Sequence, residues 1–579
     1  MKLQLDRPHV LALAGRFPAL GEGLQDQLRF GHRIELRSHT LPIEALEFLA
    51  RLYEDAGAAL AGRAAPSHDL LGRASQVRGL VAALRSESPR FGPGDALEAV
   101  LPAVVRYLAQ DSARGWLFAA NVAGKPLAWV PTRIDFVIGS SEELGKVMVE
   151  LKANARGALI SQSLRFTEAD LNGKTVAEML ASKGFLKETP ELLAAYDASA
   201  ARYFDWRGHY GGQFAGQGVA FLAEDPSATH RDSDWTRKDQ VILSAGGNAA
   251  RLVNDEGILP PRSTGLESPG DILAPYLRRA AKSSDYDCEE EVKALDASLP
   301  AHLFKQLPVQ AYLFLFHLEL HQHLWVHVDD IAPYVYQPML KDKLVLPPEQ
   351  TELIDILTAE MDVLQDDVVA GKGGGTTVLC AGPPGVGKTL TAEVYAEVTG
   401  RPLYRVHSGQ LGLSVGAMET ALKEALTRAQ RWGAVMLIDE ADVYIRKRSD
   451  DIAANAVVGV FLRVLEYFDG LLFLTTNRID DIDEAIVSRC IALIRYHSPD
   501  QLARERIWRV MAEQFGLALD DALITTLAAC YPQASGRDIK GLAKLVAKFC
   551  VHKAALPTLD VFARCAMFRA LDANPVEAD

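Results

Sequence analysis

The stretch Thr377-Val378-Leu379-Cys380-Ala381-Gly382-Pro383-Pro384-Gly385-Val386-Gly387-Lys388-Thr389 decides the fold of this chain. It predicts an apolar strand over Thr377–Ala381, a glycine loop, and a helix over Lys388–Thr399. In this order, the N–H groups of the loop and of the helix N-terminus face one point. Gly-x4-Gly-Lys-Thr is the pattern of a polyphosphate-binding loop, and a chance Gly/Pro turn rarely shares both pattern and context. The sequence therefore predicts a nucleoside triphosphate site.

Two side chains of this loop are expected to carry its chemistry. Lys388 supplies a positive charge to the β- and γ-phosphates, and the Thr389 hydroxyl can bind Mg²⁺. The predicted nucleotide-binding residues of this segment are Gly382, Pro383, Pro384, Gly385, Val386, Gly387, Lys388, Thr389 and Leu390.

Composition bounds the class of protein. A length of 579 residues is too great for one core and predicts about three or four domains. Charged residues make up 23% and apolar residues 49%, as in soluble globular proteins. The formal charge of −14 argues against broad binding to duplex DNA. Six cysteines without CxxC spacing, and an N-terminus without an apolar signal region, indicate a cytoplasmic protein.

The sequence divides into four predicted regions. Residues 1–115 alternate helical stretches with polar breaks and are expected to be mainly helical. Residues 116–339 contain more strand candidates and form a mixed region that is a candidate for partner binding. Residues 340–498 alternate apolar strands with amphipathic helices, which predicts a parallel sheet covered on both faces. Residues 499–579 are predicted to form a small helical domain and a tail.

The most apolar part of the chain lies near residues 311–328 and contains four histidines and a glutamate, so we expect no membrane span there. Over residues 316–328, apolar and polar side chains alternate, which predicts one strand with an apolar and a polar face. The histidines raise the alternative of a metal site, since imidazole is a common zinc ligand. Because the spacing is not HExxH and no cysteine is near, a solvated or hydrogen-bonded strand face is favoured.

A carboxylate pair follows another apolar strand, in Val435-Met436-Leu437-Ile438-Asp439-Glu440. Ligands bind at the carboxyl edge of parallel sheets. We therefore predict that Asp439 holds Mg²⁺, partly through water, and that Glu440 orients and polarises the attacking water. The alternative is a carboxylate pair at a helix N-terminus without a catalytic role. The next strand ends at Asn477, whose amide can fix a water near the γ-phosphate or can serve only as a turn residue.

Two arginines are further candidates. Arg489 ends a short helix, where it is either a surface cation or a group that stabilises transition-state charge on a neighbouring subunit's nucleotide. Arg537 lies in the first turn of a helix that Ser535 or Gly536 can start, and the helix dipole disfavours a cation there. Its anionic partner would be the bound nucleotide or Asp538.

With these motifs, residues 340–548 resemble the AAA+ ATPases. Gly382–Thr389 is similar to Walker A and Val435–Glu440 to Walker B. The resemblance implies an α/β domain with a five-stranded parallel sheet between helices, and a small helical lid. With the mixed α+β region predicted before them, the expected fold is a multidomain α/β protein. It also implies hydrolysis of ATP with Mg²⁺ in a ring, usually a hexamer.

The same resemblance assigns the polar residues. Asn477 is similar to sensor 1, Arg489 to the arginine finger and Arg537 to sensor 2. It implies that the nucleotide sits between subunits and that Arg489 acts in trans. A narrower resemblance, over parts of residues 325–347 and 431–470, is to a poorly characterised AAA group of fungi and bacteria with an uncharacterised domain before the ATPase.

The sequence departs from the family pattern at two places. Gly412-Leu413-Ser414-Val415-Gly416 stands where protein-threading rings carry an aromatic pore loop, and it has no aromatic residue. Only Arg489 stands where many members have two arginines. The basic trio Arg446-Lys447-Arg448 is either a solvated loop, which is favoured, or part of a channel lining.

The leading functional hypothesis is an ATP-driven ring that remodels a protein partner recognised by the N-terminal region. The alternative is an ATP-gated assembly switch or scaffold, which the missing pore aromatic favours. A nucleic-acid motor is the third hypothesis, and the acidic balance argues against it.

Overall fold

The computed structural model describes residues 2–28, 33–38, 41–60, 68–85, 89–121, 123–141, 143–171, 173–223, 239–243, 248–259, 271–359, 375–411, 415–448, 452–569 and 571. The chain divides into two compact units. The first comprises Met1–Tyr210 with Phe214–Pro333, and the second comprises Gly211–Gln213 with Tyr334–Asp579. The four regions predicted from the sequence are a finer division and stay a prediction.

The beginning of the first unit is mainly helical. Its elements are β1 (Lys2–Asp6), α1 (Arg7–Arg16), α2 (Pro18–Leu28), β2 (Arg33–Arg37), α3 (Ile43–Leu60), α4 (His68–Leu84) and α5 (Val100–Ala109). Strands β1 and β2 pair antiparallel. Leu5, Val10, Leu49 and Leu80 are fully buried in one core, which is the burial that holds these amphipathic elements together.

The rest of the first unit contains two sheets. Its elements are β3 (Leu117–Ala120), β4 (Pro126–Val137), β5 (Lys146–Ala155), β6 (Ala158–Phe166), α6 (Glu168–Leu171), α7 (Val176–Ser182), β7 (Phe185–Lys187), α8 (Pro190–Arg207), β8 (Gln213–Gly216), β9 (Val219–Leu222), β10 (Gln240–Ile242), β11 (Ala250–Asn254), α9 (Ala274–Ala280), α10 (Glu289–Ser298), β12 (Val309–Gln310), β13 (Tyr312–His317), β14 (Gln322–His327) and β15 (Ile331–Pro333). One sheet has the order β12-β5-β4-β3-β7, with β6 paired to β5. The other has the order β10-β9-β14-β13-β11-β8-β15.

The histidine-rich run forms a hairpin of β13 and β14, so the prediction of a single strand over residues 316–328 is wrong. The chain turns at residues 318–321, where His321 has a φ of +55°. The Nδ1 atom of His317 accepts hydrogen bonds from the N–H groups of Glu319 and Leu320, at 3.2 Å each. The turn residues Leu318-Glu319-Leu320-His321 continue the alternation of apolar and polar residues, so the pattern alone did not reveal the turn.

Two other histidines of the hairpin lie beside carboxylates. The Nε2 atom of His323 is 2.8 Å from Oδ2 of Asp255, and Nδ1 of His327 is 3.5 Å from Oδ2 of Asp329. Within the described ranges, no group of three or more His, Cys, Asp or Glu side chains is placed to hold a metal ion. His323 and His327 each have a hydrogen-bond partner within the chain.

The second unit contains the predicted parallel sheet between helices. Its elements are α11 (Pro348–Ala359), β16 (Thr376–Ala381), α12 (Lys388–Thr399), β17 (Leu403–His407), α13 (Val415–Trp432), β18 (Val435–Asp439), α14 (Asp442–Ile445), α15 (Ile452–Leu465), β19 (Leu471–Thr476), α16 (Glu484–Val487) and β20 (Ala492–Arg495). The strands pair in parallel in the order β17-β18-β19-β16-β20, so the five-stranded parallel sheet is confirmed. All residues of β16, β18 and β19 are buried, because helices cover both faces.

Four helices form the predicted helical lid. They are α17 (Gln501–Phe515), α18 (Asp521–Cys530), α19 (Gly536–Lys553) and α20 (Leu559–Ala566). Trp508, Leu527, Leu542 and Phe562 are fully buried at their centre. In the part of the chain that the structure describes, no helix has the length and apolar character needed to cross a membrane.

Candidate nucleotide-binding site

The loop between β16 and α12 has the backbone of a phosphate cradle. Gly385 and Gly387 have φ values of +81° and +108°, which residues with a Cβ rarely adopt. A Cβ on Gly385 would lie 2.7 Å from Oγ of Ser535, so the loop also needs glycine for close packing. Gly387 is the N-cap of α12, and the N-terminus of that helix therefore faces the loop. This arrangement provides the donors and the dipole that bind an anion.

Lys388 connects the loop to the end of β19. Its Nζ atom donates to the carbonyl oxygens of Gly382 and Pro383, at 2.8 and 2.6 Å, and to Oδ1 of Asn477 at 2.9 Å. Lys388 is only 7% exposed. The structure thus brings together two residues that the sequence predicted separately, because β16 and β19 are neighbours in the sheet.

Burial lowers the pKa of the Lys388 ammonium, and the nearby charge of Arg537 lowers it further. Interactions with Cys380, Asp439 and Asp442 act in the opposite direction without cancelling the effect. An anionic ligand beside a buried ammonium stabilises its charged form. Lys388 is therefore well placed to bind an anion.

Asp439 and Thr389 form the candidate magnesium site. The Thr389 hydroxyl donates to Oδ1 of Asp439 at 3.0 Å, and the Thr475 hydroxyl donates to the same oxygen at 2.6 Å. Burial raises the pKa of Asp439, but the hydrogen bond from Thr475 and the charge of Arg405 outweigh it, so the pKa lies below its usual value. An ionised carboxylate beside a hydroxyl is the oxygen donor set that Mg²⁺ prefers, so these residues fit the ion.

Glu440 directly follows β18 in an unusual conformation. Its φ is +55°, and its N–H donates to the Thr475 hydroxyl at 3.0 Å. The Glu440 side chain is exposed, whereas Asp439 is buried. The two adjacent carboxylates therefore have different surroundings.

The two candidate arginines lie in different parts of the second unit. Arg489 donates from Nε and Nη2 to Oε1 of Glu466, at 3.1 and 2.5 Å, and from Nη1 to the carbonyl oxygen of Ala485 at 3.2 Å. The N–H of Arg537 donates to the carbonyl oxygen of Gly385 at 3.1 Å, so the lid contacts the phosphate loop.

Asp538, the other candidate partner of Arg537, binds Ser535 in this structure. The Asp538 carboxylate accepts hydrogen bonds from the N–H and the hydroxyl of Ser535, at 3.1 and 2.6 Å. The Arg537 side chain itself is exposed. A ligand phosphate therefore stays the predicted partner of this guanidinium.

Three residues of the site were not predicted from the sequence. Arg405 binds the Asp439 carboxylate, Thr475 donates to it, and Asp442 accepts hydrogen bonds from the Thr476 hydroxyl and the Asn477 N–H. A charged residue within the apolar strand β17 was the available signal for Arg405. No sequence pattern marked the Thr475 hydroxyl or the Asp442 carboxylate.

The remaining residues singled out in the sequence lie at the edge of the site or outside it. Pro384 and Leu390 are exposed, and Val386 packs against the core of the sheet. Residues 412–414 of the pore-loop segment lie outside the described residues. Lys447 donates to the carbonyl oxygen of Asp480 at 2.6 Å. Arg448 lies 3.3 Å from a carboxylate oxygen, so both basic side chains have contacts within their own chain.

A glycine loop with Lys-Thr at a helix N-terminus, and a strand-end carboxylate beside it, define a nucleotide-binding domain of the phosphate-loop class. Residues 378–497 match the family described as "ATPase family associated with various cellular activities (AAA)". This part of the chain is an AAA+ ATPase domain. The narrower resemblance to one fungal and bacterial group stays a prediction.

Several curated ATPases are similar to about a third of this chain. The ATPase family gene 2 protein of Schizosaccharomyces pombe is 29% identical over 30% of this chain and 23% of its own length. Proteasome-activating nucleotidase 2 of Halobacterium salinarum is 29% identical over 30% of this chain and 46% of its own. The peroxisomal ATPase PEX1 of Cricetulus griseus is 29% identical over 35% of this chain and 16% of its own. The similarity thus spans less than half of each relative.

Proposed function

We propose that this chain hydrolyses Mg·ATP in an oligomeric ring, a hexamer by family resemblance, and uses the energy to remodel a protein recognised by its N-terminal region. The observation that supports the proposal most is one continuous set of contacts. Lys388 binds Asn477 at 2.9 Å, and Thr389 binds Asp439 at 3.0 Å. These contacts join the phosphate loop to the ends of two neighbouring strands.

The loop and Lys388 bind and orient the triphosphate in this mechanism. Loop N–H groups and the N-terminus of α12 face its oxygens, and Lys388 compensates their charge. Thr389 and Asp439 would hold Mg²⁺, which when bound neutralises charge on the phosphates. Arg537, from the lid, supplies a further cation on the loop side of the nucleotide.

Glu440 and Asn477 act on the attacking water. The exposed Glu440 carboxylate accepts a hydrogen bond from water and polarises it, while the Asn477 amide fixes its position near the γ-phosphate. The water oxygen bonds to the γ-phosphorus while a water proton moves toward the Glu440 carboxylate. The bond between the γ-phosphorus and the β–γ bridging oxygen breaks, which leaves ADP and inorganic phosphate. The positive φ of Glu440 fixes where its side chain leaves the backbone.

Arg489 completes the site from a neighbouring subunit in this proposal. Its guanidinium would stabilise charge on the transferring phosphoryl group, as an arginine finger does. Glu466 holds Arg489 by two hydrogen bonds and thereby limits its rotamers.

The partner is proposed to bind residues 1–339, because the family match begins only at residue 378. The name of one relative, a proteasome-activating nucleotidase, is consistent with action on another protein assembly. A cytoplasmic location belongs to the same proposal and is supported by six free cysteines.

A second candidate function is an ATP-gated assembly switch or scaffold. It is favoured by the segment Gly412–Gly416, which has no aromatic residue to grip a threaded chain. In such a switch, ATP binding sets assembly and turnover resets it. A nucleic-acid motor is the least favoured function, because the chain carries a formal charge of −14.

The variant Glu440→Gln tests the proposal, with wild-type protein and Lys388→Ala as controls. We expect Glu440→Gln to bind ATP as wild type does but to lose about 100-fold or more in turnover, since only water activation is removed. Lys388→Ala should lose binding itself. Turnover and ATP binding are measured by phosphate release and calorimetry. Unchanged turnover in Glu440→Gln would remove the assigned role of Glu440.

A further inference from the structure

Arg405 is a charged residue within the apolar strand β17. Across the sheet, Arg405 pairs with Leu437, and His407 pairs with Asp439. Residues two apart on a strand point to one face, so Arg405 and Asp439 are diagonal neighbours on the same face. The Nη2 atom of Arg405 lies 2.5 Å from Oδ2 of Asp439. The carboxylate of the candidate magnesium site therefore has a guanidinium bound to it.

Both oxygens of the Asp439 carboxylate accept hydrogen bonds from the protein. Two hydroxyls donate to Oδ1, and Arg405 donates to Oδ2. A guanidinium compensates the negative charge and also repels a divalent cation nearby. In this arrangement, Asp439 is a weaker partner for Mg²⁺ than a carboxylate without an arginine.

A second carboxylate lies close to the same guanidinium. The Nη1 atom of Arg405 is 3.7 Å from Oε1 of Glu393, on the helix that follows the phosphate loop. The two side chains are 39% and 42% exposed, so both have room to change rotamer. The Nε atom of Arg405 is buried, and it has no hydrogen-bond partner among the described residues. The arginine thus has one short contact, one loose contact and one unsatisfied donor.

We propose that Arg405 is a positioning residue that exchanges between Asp439 and Glu393 and thereby sets how tightly the site binds Mg²⁺. With Arg405 on Asp439, the carboxylate is occupied. With Arg405 on Glu393, the Asp439 oxygen is released for the metal and its water. This inference rests on the proposed nucleotide site, but not on hydrolysis or on ring assembly.

Opposite effects of two substitutions test the exchange. Arg405→Gln frees Asp439, and we expect Mn²⁺, used as a probe for Mg²⁺, to bind the ADP-loaded protein about fivefold more tightly. Glu393→Gln removes the alternative partner and keeps Arg405 on Asp439, so Mn²⁺ should bind about threefold more weakly. Free Mn²⁺ is measured by electron paramagnetic resonance at fixed ADP, and competition with Mg²⁺ gives the corresponding affinity.

Two further variants keep the test decisive. Arg405→Lys retains the positive charge, so its Mn²⁺ affinity should be closer to that of wild type than the affinity of Arg405→Gln is. If Arg405→Gln folds poorly, Arg405→Lys and Glu393→Gln still test the exchange. Arg463→Gln removes an arginine that pairs with Glu419 on another helix, and it should leave Mn²⁺ affinity unchanged.

The outcomes separate the exchange from the proposed function. Shifts of the same sign in Arg405→Gln and Glu393→Gln, or no shift in either, would overturn the exchange. Opposite shifts in a protein that binds Mn²⁺ and ADP but does not hydrolyse ATP would support the exchange while overturning the proposed hydrolysis. No ADP binding by wild type would overturn both.

Discussion

Glu440 combines a proposed catalytic role with an unfavourable backbone. At its φ of +55°, a residue with a Cβ costs about 1–2 kcal/mol more than glycine. The N–H of Glu440 is nevertheless fixed by the Thr475 hydroxyl at 3.0 Å. Strained residues of this kind cluster at functional sites, where the surrounding structure holds them in place. We infer that the strain at Glu440 is maintained because it directs the carboxylate.

The backbone strain at Glu440 predicts that glycine is more stable than alanine at this position, which is the reverse of the usual order. Glu440→Gly and Glu440→Ala remove the same carboxylate, but only glycine is unstrained at this φ. We expect Glu440→Gly to be more stable than Glu440→Ala by about 1 kcal/mol in urea unfolding followed by tryptophan fluorescence.

The control for this comparison is Glu424, an exposed residue inside α13. There, Glu424→Gly should be less stable than Glu424→Ala by about 1 kcal/mol, because glycine weakens a helix interior. If Glu440→Gly were less stable than Glu440→Ala as well, the positive φ at this position would not lower the free energy of unfolding.

The lid helix α19 is positioned by its first turn. The N–H of Asp538 donates to the Ser535 hydroxyl at 3.3 Å, and the Asp538 carboxylate accepts from the Ser535 N–H at 3.1 Å. This reciprocal capping box fixes the helix start. In the same turn, the N–H of Arg537 binds the carbonyl oxygen of Gly385. The cap therefore sets where Arg537 meets the phosphate loop.

Removing the cap is expected to affect both stability and nucleotide binding. Ser535→Ala should lower the free energy of unfolding by about 1 kcal/mol. It should also weaken ATP binding about threefold, because Arg537 is less well placed, which calorimetry would measure. Ser535→Thr retains the hydroxyl and should preserve both. A stability loss with unchanged ATP affinity would show that α19 does not position Arg537 for the nucleotide.

At the scale of the whole molecule, the proposed ring depends on Arg489. Its guanidinium is held by Glu466 of its own chain, while Lys388, Thr389 and Asp439 belong to the nucleotide site. If Arg489 acts on a neighbouring subunit, each active site contains residues of two chains. Activity should then depend on which subunits stand next to each other.

Mixed assemblies provide the measurement. Arg489→Ala and Lys388→Ala should each be inactive alone. In an equal mixture, about a quarter of the sites combine an intact phosphate loop with an intact neighbouring arginine, and about that share of activity should return. Mixing Arg489→Ala with a chain that carries both substitutions should restore nothing. Absence of rescue in mixtures proven to co-assemble would show that Arg489 does not act in trans.

The sequence alone determined the parts of this protein that are local. The strand, the glycine loop and the helix Lys388–Thr399 follow one another directly, and the helix has the predicted bounds. The five-stranded parallel sheet was predictable because strands buried on both faces give continuous apolar runs. The positions of Asp439 and Asn477 beside the phosphate loop were predictable, because both residues lie where strands of such a sheet end.

Only the tertiary structure decided the contacts between distant segments. The Arg405–Asp439 ion pair and the contact of Arg537 with Gly385 depend on strand order, register and lid placement. The backbone of Glu440 and the turn at His321 also escaped prediction, since alternation and composition do not encode the sign of φ. Local sequence fixes which groups a segment offers, whereas packing fixes which groups of other segments they meet.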